Sequence, residues 1–284
     1  MSALGAVELL GAADIRELAD KLGVVPTKKL GQNFVTDPNT IRRIVSAAKL
    51  DGTETVVEIG PGLGSLTLGL LEAAARVIAV EVDTKLASEL EATVAKRAAG
   101  KSFVLVESDA LRVTQLPGEP DALVANLPYN ISVPVLLHFL ETFNSLRFGL
   151  VLVQAEVAHR LAATPGSKVY GIPSAKLAWY AEATLAGNIG RNIFWPAPNV
   201  DSALVYFAKR KTVLGSEAER LATFDAIDAG FAQRRKTLRQ ALADWAGSAA
   251  RAEEILTAAK ISPQARAEEL TVQDFLKIAR AKNV

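Results

Sequence analysis

Two short stretches carry residue types that could do chemistry together. The first, Glu58-Ile-Gly-Pro-Gly-Leu-Gly-Ser65, leaves an apolar run and opens a helical one. Gly60, Gly62 and Gly64 let the backbone turn sharply and let a ligand approach it closely. A dinucleotide fingerprint would want glycine where Ser65 stands, and no Lys-Thr or Lys-Ser follows to hold a diphosphate. Glu81 ends the next apolar run, at the distance where a carboxylate accepts ribose hydroxyls. Asp109, after the third run, is placed to accept from an exocyclic adenine amine. An adenosine-type ligand follows, and S-adenosylmethionine fits better than ATP or NAD.

The second stretch is Ala125-Asn-Leu-Pro-Tyr-Asn-Ile-Ser132, closing the apolar run that begins at Asp121. Proline is a poor strand residue, so it marks a turn. An adenine amino group is a weak nucleophile, because its lone pair is delocalised into the ring. Two acceptors that take its hydrogens turn the nitrogen toward tetrahedral geometry: the Asn126 side-chain carbonyl and the Leu127 backbone carbonyl. Pro128 fixes the turn, and Tyr129 offers a ring on which a displaced base can stack. Such a transfer runs on alignment and electrostatics.

The rest of the composition bounds the alternatives. The 284 residues contain no cysteine and two histidines, so zinc-thiolate sites and thiol nucleophiles are excluded. His138, in VPVLLHFL, reads as a helix-packing residue, and no metal site is expected. No apolar run reaches membrane-spanning length, and the N-terminus lacks both signal and transit patterns, so a cytoplasmic protein is expected. Net charge is +1, but residues 209–284 hold 14 Lys and Arg against 10 Asp and Glu. A mildly basic C-terminal part on a mildly acidic body suits a polyanion partner.

The elements that must position these stretches are also legible. Residues 14–23 read as a helix capped by Asp14 and closed by Gly23, and 38–49 as another. Apolar strands at 56–60, 77–83, 103–108, 122–126, 150–154 and 201–209 alternate with helical patterns, which predicts an α/β fold with a parallel sheet covered on both faces. From about 215 the periodicity is helical throughout.

ANLPYNIS, EIGPGLGSLT and GQNFVTD together resemble the rRNA adenine N6,N6-dimethyltransferase family, in particular its bacterial small-subunit branch. The resemblance spans roughly residues 25–280. FWPAPNVDSALV (194–205), FAQRRKTLRQAL (231–242) and ISPQARAEELT (261–271) belong to it. It implies a Rossmann-like S-adenosylmethionine-dependent methyltransferase domain with an N-terminal helical extension over 1–212, and a smaller all-helical RNA-docking domain over 213–284. The implied reaction is dimethylation of two adjacent adenosines near the 3′ end of small-subunit rRNA, within a pre-30S subunit; a monomer is the default expectation. Carried over residue by residue, Asn33, Val35, Gly60, Glu81, Asp109 and Asn126 would contact the cofactor, with Gly62 and Gly64 in the same loop. Phe194 would supply a second aromatic face for the flipped adenine. Lys28, Lys29, Arg160, Lys168, Arg234, Arg235, Lys236 and Arg239 would meet RNA phosphates, with Arg235 and Arg239 sharing one helix face.

Some positions depart from the family pattern. Val35 stands where leucine is usual, Ala155 for a common lysine, Ile172-Pro173 for Leu-Ser and Gln240 for asparagine; these touch the RNA surface more than the cofactor pocket. Four rivals stay open: a resistance methyltransferase of large-subunit rRNA, a DNA adenine methyltransferase, an assembly factor that binds without catalysis, and an NAD-dependent dehydrogenase.

Overall fold

The computed structural model describes residues 6–23 and 33–282. Lys28 and Lys29 lie outside the described residues. The first half of the chain runs α1 (Ala12–Leu22), β1 (Phe34–Val35), α2 (Pro38–Ala48), β2 (Thr55–Ile59), α3 (Ser65–Ala73), β3 (Arg76–Glu81), α4 (Thr84–Arg97), β4 (Phe103–Glu107), β5 (Ala122–Asn126) and α5 (Ser132–Thr142). Then follow β6 (Phe148–Gln154), α6 (Ala155–Leu161), α7 (Ile172–Tyr180), β7 (Ala181–Ile189), β8 (Phe194–Trp195) and β9 (Ser202–Lys209). The remainder is helical: α8 (Glu217–Ala232), α9 (Leu238–Ala241), α10 (Ala243–Ala246), α11 (Ala249–Ala258) and α12 (Val272–Lys282).

Among the described residues, seven strands form one sheet in the order β4-β3-β2-β5-β6-β9-β7. The β2–β3, β3–β4, β2–β5 and β5–β6 pairs are parallel, and β9 runs antiparallel to β6. Apolar runs such as Val77–Val80 and Ala122–Ala125 are buried outright, as strands covered on both faces must be. From β2 the chain winds outward to β3 and β4, then returns to β5 on the other side. That reversal makes a switch point at the carboxyl ends of β2 and β5, where open α/β sheets take their ligands.

The helix ends follow from local chemistry. Asp37 caps α2 by accepting from Asn39 and Thr40 N–H, with Pro38 at the first position. Asp83 does the same for α4 through Lys85 and Leu86. Gly23 closes α1 in the left-handed region (φ 58°), as its type predicts. The expected Asp14 cap is corrected: Gly11 is the cap, and Asp14 sits three residues inside. Its carboxylate accepts from Gly11 N–H at 2.8 Å and pairs with Arg97 at 2.7 Å. Those partners hold the carboxyl below its usual range, the Gly11 bond contributing most.

The chain divides into two compact units, Met1–Ala158 with Thr184–Lys209, and His159–Ala183 with Arg210–Val284. Residues 159–183, expected with the first domain, therefore group with the C-terminal helices. The cause is aromatic packing. Tyr170 packs at a tilt against Phe231 (5.9 Å between centroids) and Phe231 against Phe275 (6.0 Å), and Trp179 meets Phe224 edge-on (6.2 Å). Tyr170, fully buried, donates its hydroxyl to Leu270 O at 2.9 Å. Ser216 and Glu219 form a reciprocal capping box at the start of α8.

Candidate cofactor cavity and catalytic turn

The glycine turn follows β2. Gly60, Gly62 and Gly64 all have positive φ (65°, 58° and 94°), which L side chains adopt at a cost. Space demands glycine as well: a Cβ on Gly62 would lie 2.8 Å from Phe34 Cε1, and one on Gly64 would lie 2.6 Å from Leu90 Cδ1. Ser65, which breaks the dinucleotide pattern, has a task of its own. Its hydroxyl donates to Val35 O at 2.7 Å and ties the β1 segment over the turn.

Acidic side chains stand at the carboxyl ends of the neighbouring strands. Glu81 is buried; its Oε2 accepts from Gly62 N–H (3.1 Å) and its Oε1 from Val82 and Asp83 N–H (2.9 and 3.0 Å). Burial pushes its carboxyl above the usual range, and those three donors pull the other way. With three acceptor sites used, a carboxylate keeps one for a ligand hydroxyl. Asp109 follows β4, accepts from Leu111 N–H at 3.0 Å, lies 3.7 Å from the Arg112 guanidinium and is half-exposed.

At the end of β5, the Asn126 amide nitrogen donates to Asn33 O at 3.0 Å. That bond commits the amide N–H edge and assigns Oδ1 as the edge that accepts. Leu127 N–H donates to Leu152 O (3.1 Å), and Pro128 O accepts from Ile131 N–H (3.2 Å), so the turn is pinned on both sides. The Tyr129 hydroxyl and Ser202 Oγ lie 2.6 Å apart. Burial raises the phenol pKa and the Ser202 bond opposes it. A Cβ on Gly60 would stand 3.6 Å from the Pro128 ring, so the glycine turn and the Asn-Leu-Pro-Tyr turn abut.

Between these turns lies a cavity of about 180 Å³. Asn33, Val35, Gly60, Gly62, Glu81 and Asp109 line it on the expected cofactor side, and Asn126 to Tyr129 line it on the expected catalytic side. Gly64 does not line it; it packs behind, against Leu90. Phe194 does not line it either. It is 4% exposed, pairs in register with Val35 between β8 and β1, and belongs to the core. Phe34, Glu58 and Val82 also line the cavity, a role not expected of them from sequence. Val82 is 61% exposed in the structure; its only sequence signal is an apolar residue between the acids Glu81 and Asp83. Among the described residues, the charged ones that line the cavity are Glu58, Glu81, Asp83 and Asp109, all acidic. That lining suits a cationic donor and disfavours the diphosphate of NAD or ATP.

The expected RNA cations are distributed differently from the expectation. Gln233–Lys236 is a turn between α8 and α9, so Arg235 and Arg239 do not share a helix face. Leu238 N–H is captured by Ala265 O at 2.8 Å and Arg239 N–H by Pro263 O at 3.1 Å, which starts a new helix there. Arg234 pairs with Glu268 (2.9 Å) and Arg239 with Glu253 (2.6 Å). Arg235, Lys236, Arg160 and Lys168 are exposed. His138 donates its Nε2–H to Val113 O (2.8 Å) and meets Phe139 edge-on, which is a packing role. Among the described residues, no His, Cys, Asp and Glu group could hold a metal ion, and no helix is long and apolar enough to cross a membrane.

Comparison with known proteins agrees with this arrangement. Residues 26–283 match the family described as ribosomal RNA adenine dimethylase. The chain is 62% identical over 277 residues to ribosomal RNA small subunit methyltransferase A of Streptomyces coelicolor, covering 96% of this chain and 97% of that protein. A dimethyladenosine transferase from Plasmodium falciparum shares the fold, with a TM-score of 0.73 at 23% identity over 86% of this chain and 95% of that one. The 23S rRNA methyltransferase ErmE superposes with a TM-score of 0.66 at 25% identity, over 89% of this chain and all of that one. The chain belongs to the ribosomal RNA adenine dimethylase family of S-adenosylmethionine-dependent methyltransferases.

Proposed function

We propose that this chain, an rRNA adenine dimethyltransferase by family, converts two adjacent adenosines near the 3′ end of small-subunit rRNA to N6,N6-dimethyladenosine. We further infer that it acts as a monomer, on a pre-30S subunit in the cytoplasm. The observation that carries the chemistry is the pinned turn at residues 126–129, set against a cavity whose charged groups, among the described residues, are all acidic. The small-subunit assignment is supported by the 62% identity to a protein named for that subunit, against 25% for the large-subunit enzyme.

S-adenosylmethionine, when bound, supplies a methyl group on a sulfonium. The protein's part is to hold and orient. Glu81 is the residue for the ribose hydroxyls and Asp109 the one for the adenine amine, each at the end of its strand. Asn126 Oδ1 and the Leu127 carbonyl accept the hydrogens of the target N6, which returns its lone pair from the ring to the nitrogen. Tyr129, held by Ser202, presents the ring on which the base rests. The nitrogen would gain the methyl group as the S–C bond breaks, its electron pair remaining on the donor sulfur as a thioether, and a proton leaves the nitrogen to solvent. Phe194 remains a proposal as the second aromatic face, and it would have to leave the core to act so. The exposed Arg160, Lys168, Arg235 and Lys236 are proposed phosphate contacts; Arg234 and Arg239 would exchange an ion pair for a phosphate.

Replacing Asn126 with alanine tests the turn. Loss of one preorganised acceptor is expected to lower the transfer rate by roughly 10²–10³, with the fold intact by circular dichroism. Full activity in Asn126→Ala would exclude the orientation mechanism.

A further inference from the structure

The two transfers that dimethylation requires are not alike at the catalytic turn. In each, the N6 lone pair forms the N–C bond, the S–C pair stays on the donor sulfur as a thioether, and one N–H proton leaves to solvent. The unmodified amine offers two hydrogens, one for Asn126 Oδ1 and one for the Leu127 carbonyl. After the first transfer it carries one hydrogen and one methyl group. One acceptor then has no hydrogen to take, and the base is held by a single bond about which it can pivot. What opposes the pivot is the surface on which the base rests. The second transfer therefore depends on the placing of the Tyr129 ring more than the first does.

That ring is secured from outside the cavity. Tyr129 lines the cavity, whereas Ser202, on β9, does not line it and is fully buried. The two hydroxyls lie 2.6 Å apart. The contact is at the far end of the ring, where it resists swinging about the Cα–Cβ bond. Burial raises the phenol pKa, so the bond joins two neutral hydroxyls near pH 7. Ser202 itself stands on a firm frame: β9 pairs with β6 from Phe148 to Gln154, with Gln154 opposite Ser202 and Leu152 opposite Leu204. The same β6 offers Leu152 O to Leu127 N–H. The turn thus has a backbone support from β6 before Pro128 and a side-chain support from β9 after it. We propose that Ser202 is a positioning residue that acts through Tyr129 and sets how far methylation goes. With this latch the ring holds a once-methylated base for the second transfer; without it the reaction lags at N6-methyladenosine. The proposal rests on the transfer reading given above.

Time courses of the full chain on unmodified small ribosomal subunits, at saturating S-adenosylmethionine, test this when digestion and mass spectrometry count mono- and dimethyladenosine separately. The wild type is expected to pass through the monomethyl product to dimethyladenosine. Ser202→Ala and Tyr129→Phe each remove one half of the same bond. In both, the second transfer is expected to slow relative to the first by roughly three- to tenfold, so that N6-methyladenosine accumulates. The combined variant should be no worse than either alone, because the two changes break one interaction. A smaller folded or donor-bound fraction slows both transfers alike, so the ratio separates positioning from mere stability. A wild-type ratio in both variants would overturn the proposal, as would effects that multiply in the combined variant. If Ser202→Ala does not fold, the ratio in Tyr129→Phe decides alone. A wild type that forms no dimethyladenosine would overturn the transfer reading itself, and the proposal with it.

Discussion

At the scale of single residues, the site is built by spending polar groups on one another and leaving a few edges for the ligand. Glu81 gives three acceptor sites to backbone N–H groups, and Asn126 gives its amide N–H to Asn33. The types that do this were legible in the sequence, because carboxylates and amides at strand ends have few structural reasons to be there. Glu58 was not legible: inside Val-Val-Glu-Ile-Gly it reads as part of a buried strand, and nothing local says that its carboxyl faces a cavity. Its burial has a consequence for the ligand-free protein. The carboxyl is raised from 4.5 to about 8 on folding, so both states hold the proton below 4.5. As pH climbs toward 8 the unfolded chain releases a proton that the folded chain keeps, and stability falls through that window. The melting temperature of Glu58→Gln relative to wild type is therefore expected to increase between pH 5 and pH 8 without ligand, by thermal denaturation. A difference that stays flat would mean the carboxyl is not buried neutral.

At the scale of elements, β2 to β6 and β9 were legible because each is a nearly unbroken apolar run, whereas β7, with Glu182, Thr184 and Asn188 along it, was not. Of the two helix caps read from sequence, Gly23 stands as expected and Asp14 does not. Two further features escaped for physical reasons. The turn at Gln233–Lys236 is made of good helix formers, and long-range bonds from Leu238 and Arg239 to the 263–265 backbone override that propensity. The short β1–β8 pair consists of two residues per strand, too few for any periodicity. Close packing inside the sheet offers a direct test. On β6, a Cβ at Gly149 would stand 2.2 Å from Leu123 O and 2.4 Å from the Phe207 ring. Gly149→Ala is expected to destabilise the protein by about 1–3 kcal/mol, measured by urea unfolding. A neutral substitution would show that β5, β6 and β9 can part to admit a methyl group.

At the scale of the whole molecule, alternation of strands and helices announced the α/β class, and the late helical periodicity announced a second unit. The membership of residues 159–183 was not announced, since Tyr170 and Trp179 are apolar partners that any core could accept. Charge at this scale is modest, so RNA affinity must come from local clusters. Charge reversal at Arg235 and Lys236, which are exposed, is expected to weaken rRNA binding and to reduce the salt slope by about 1 for each phosphate no longer neutralised. Donor affinity should be unchanged. Filter binding across a salt series checks the first and calorimetry the second; unaltered RNA binding would remove these residues from the interface.

The measurement that tests the central claim most directly is methyl transfer from labelled S-adenosylmethionine to unmodified small ribosomal subunits, with large subunits and naked rRNA alongside, and nuclease digestion with mass spectrometry of the product. N6,N6-dimethyladenosine is expected at two adjacent positions near the 3′ end of small-subunit rRNA and nowhere else. Label appearing in the large subunit, or no transfer while donor and subunit still bind, would contradict the proposed reaction.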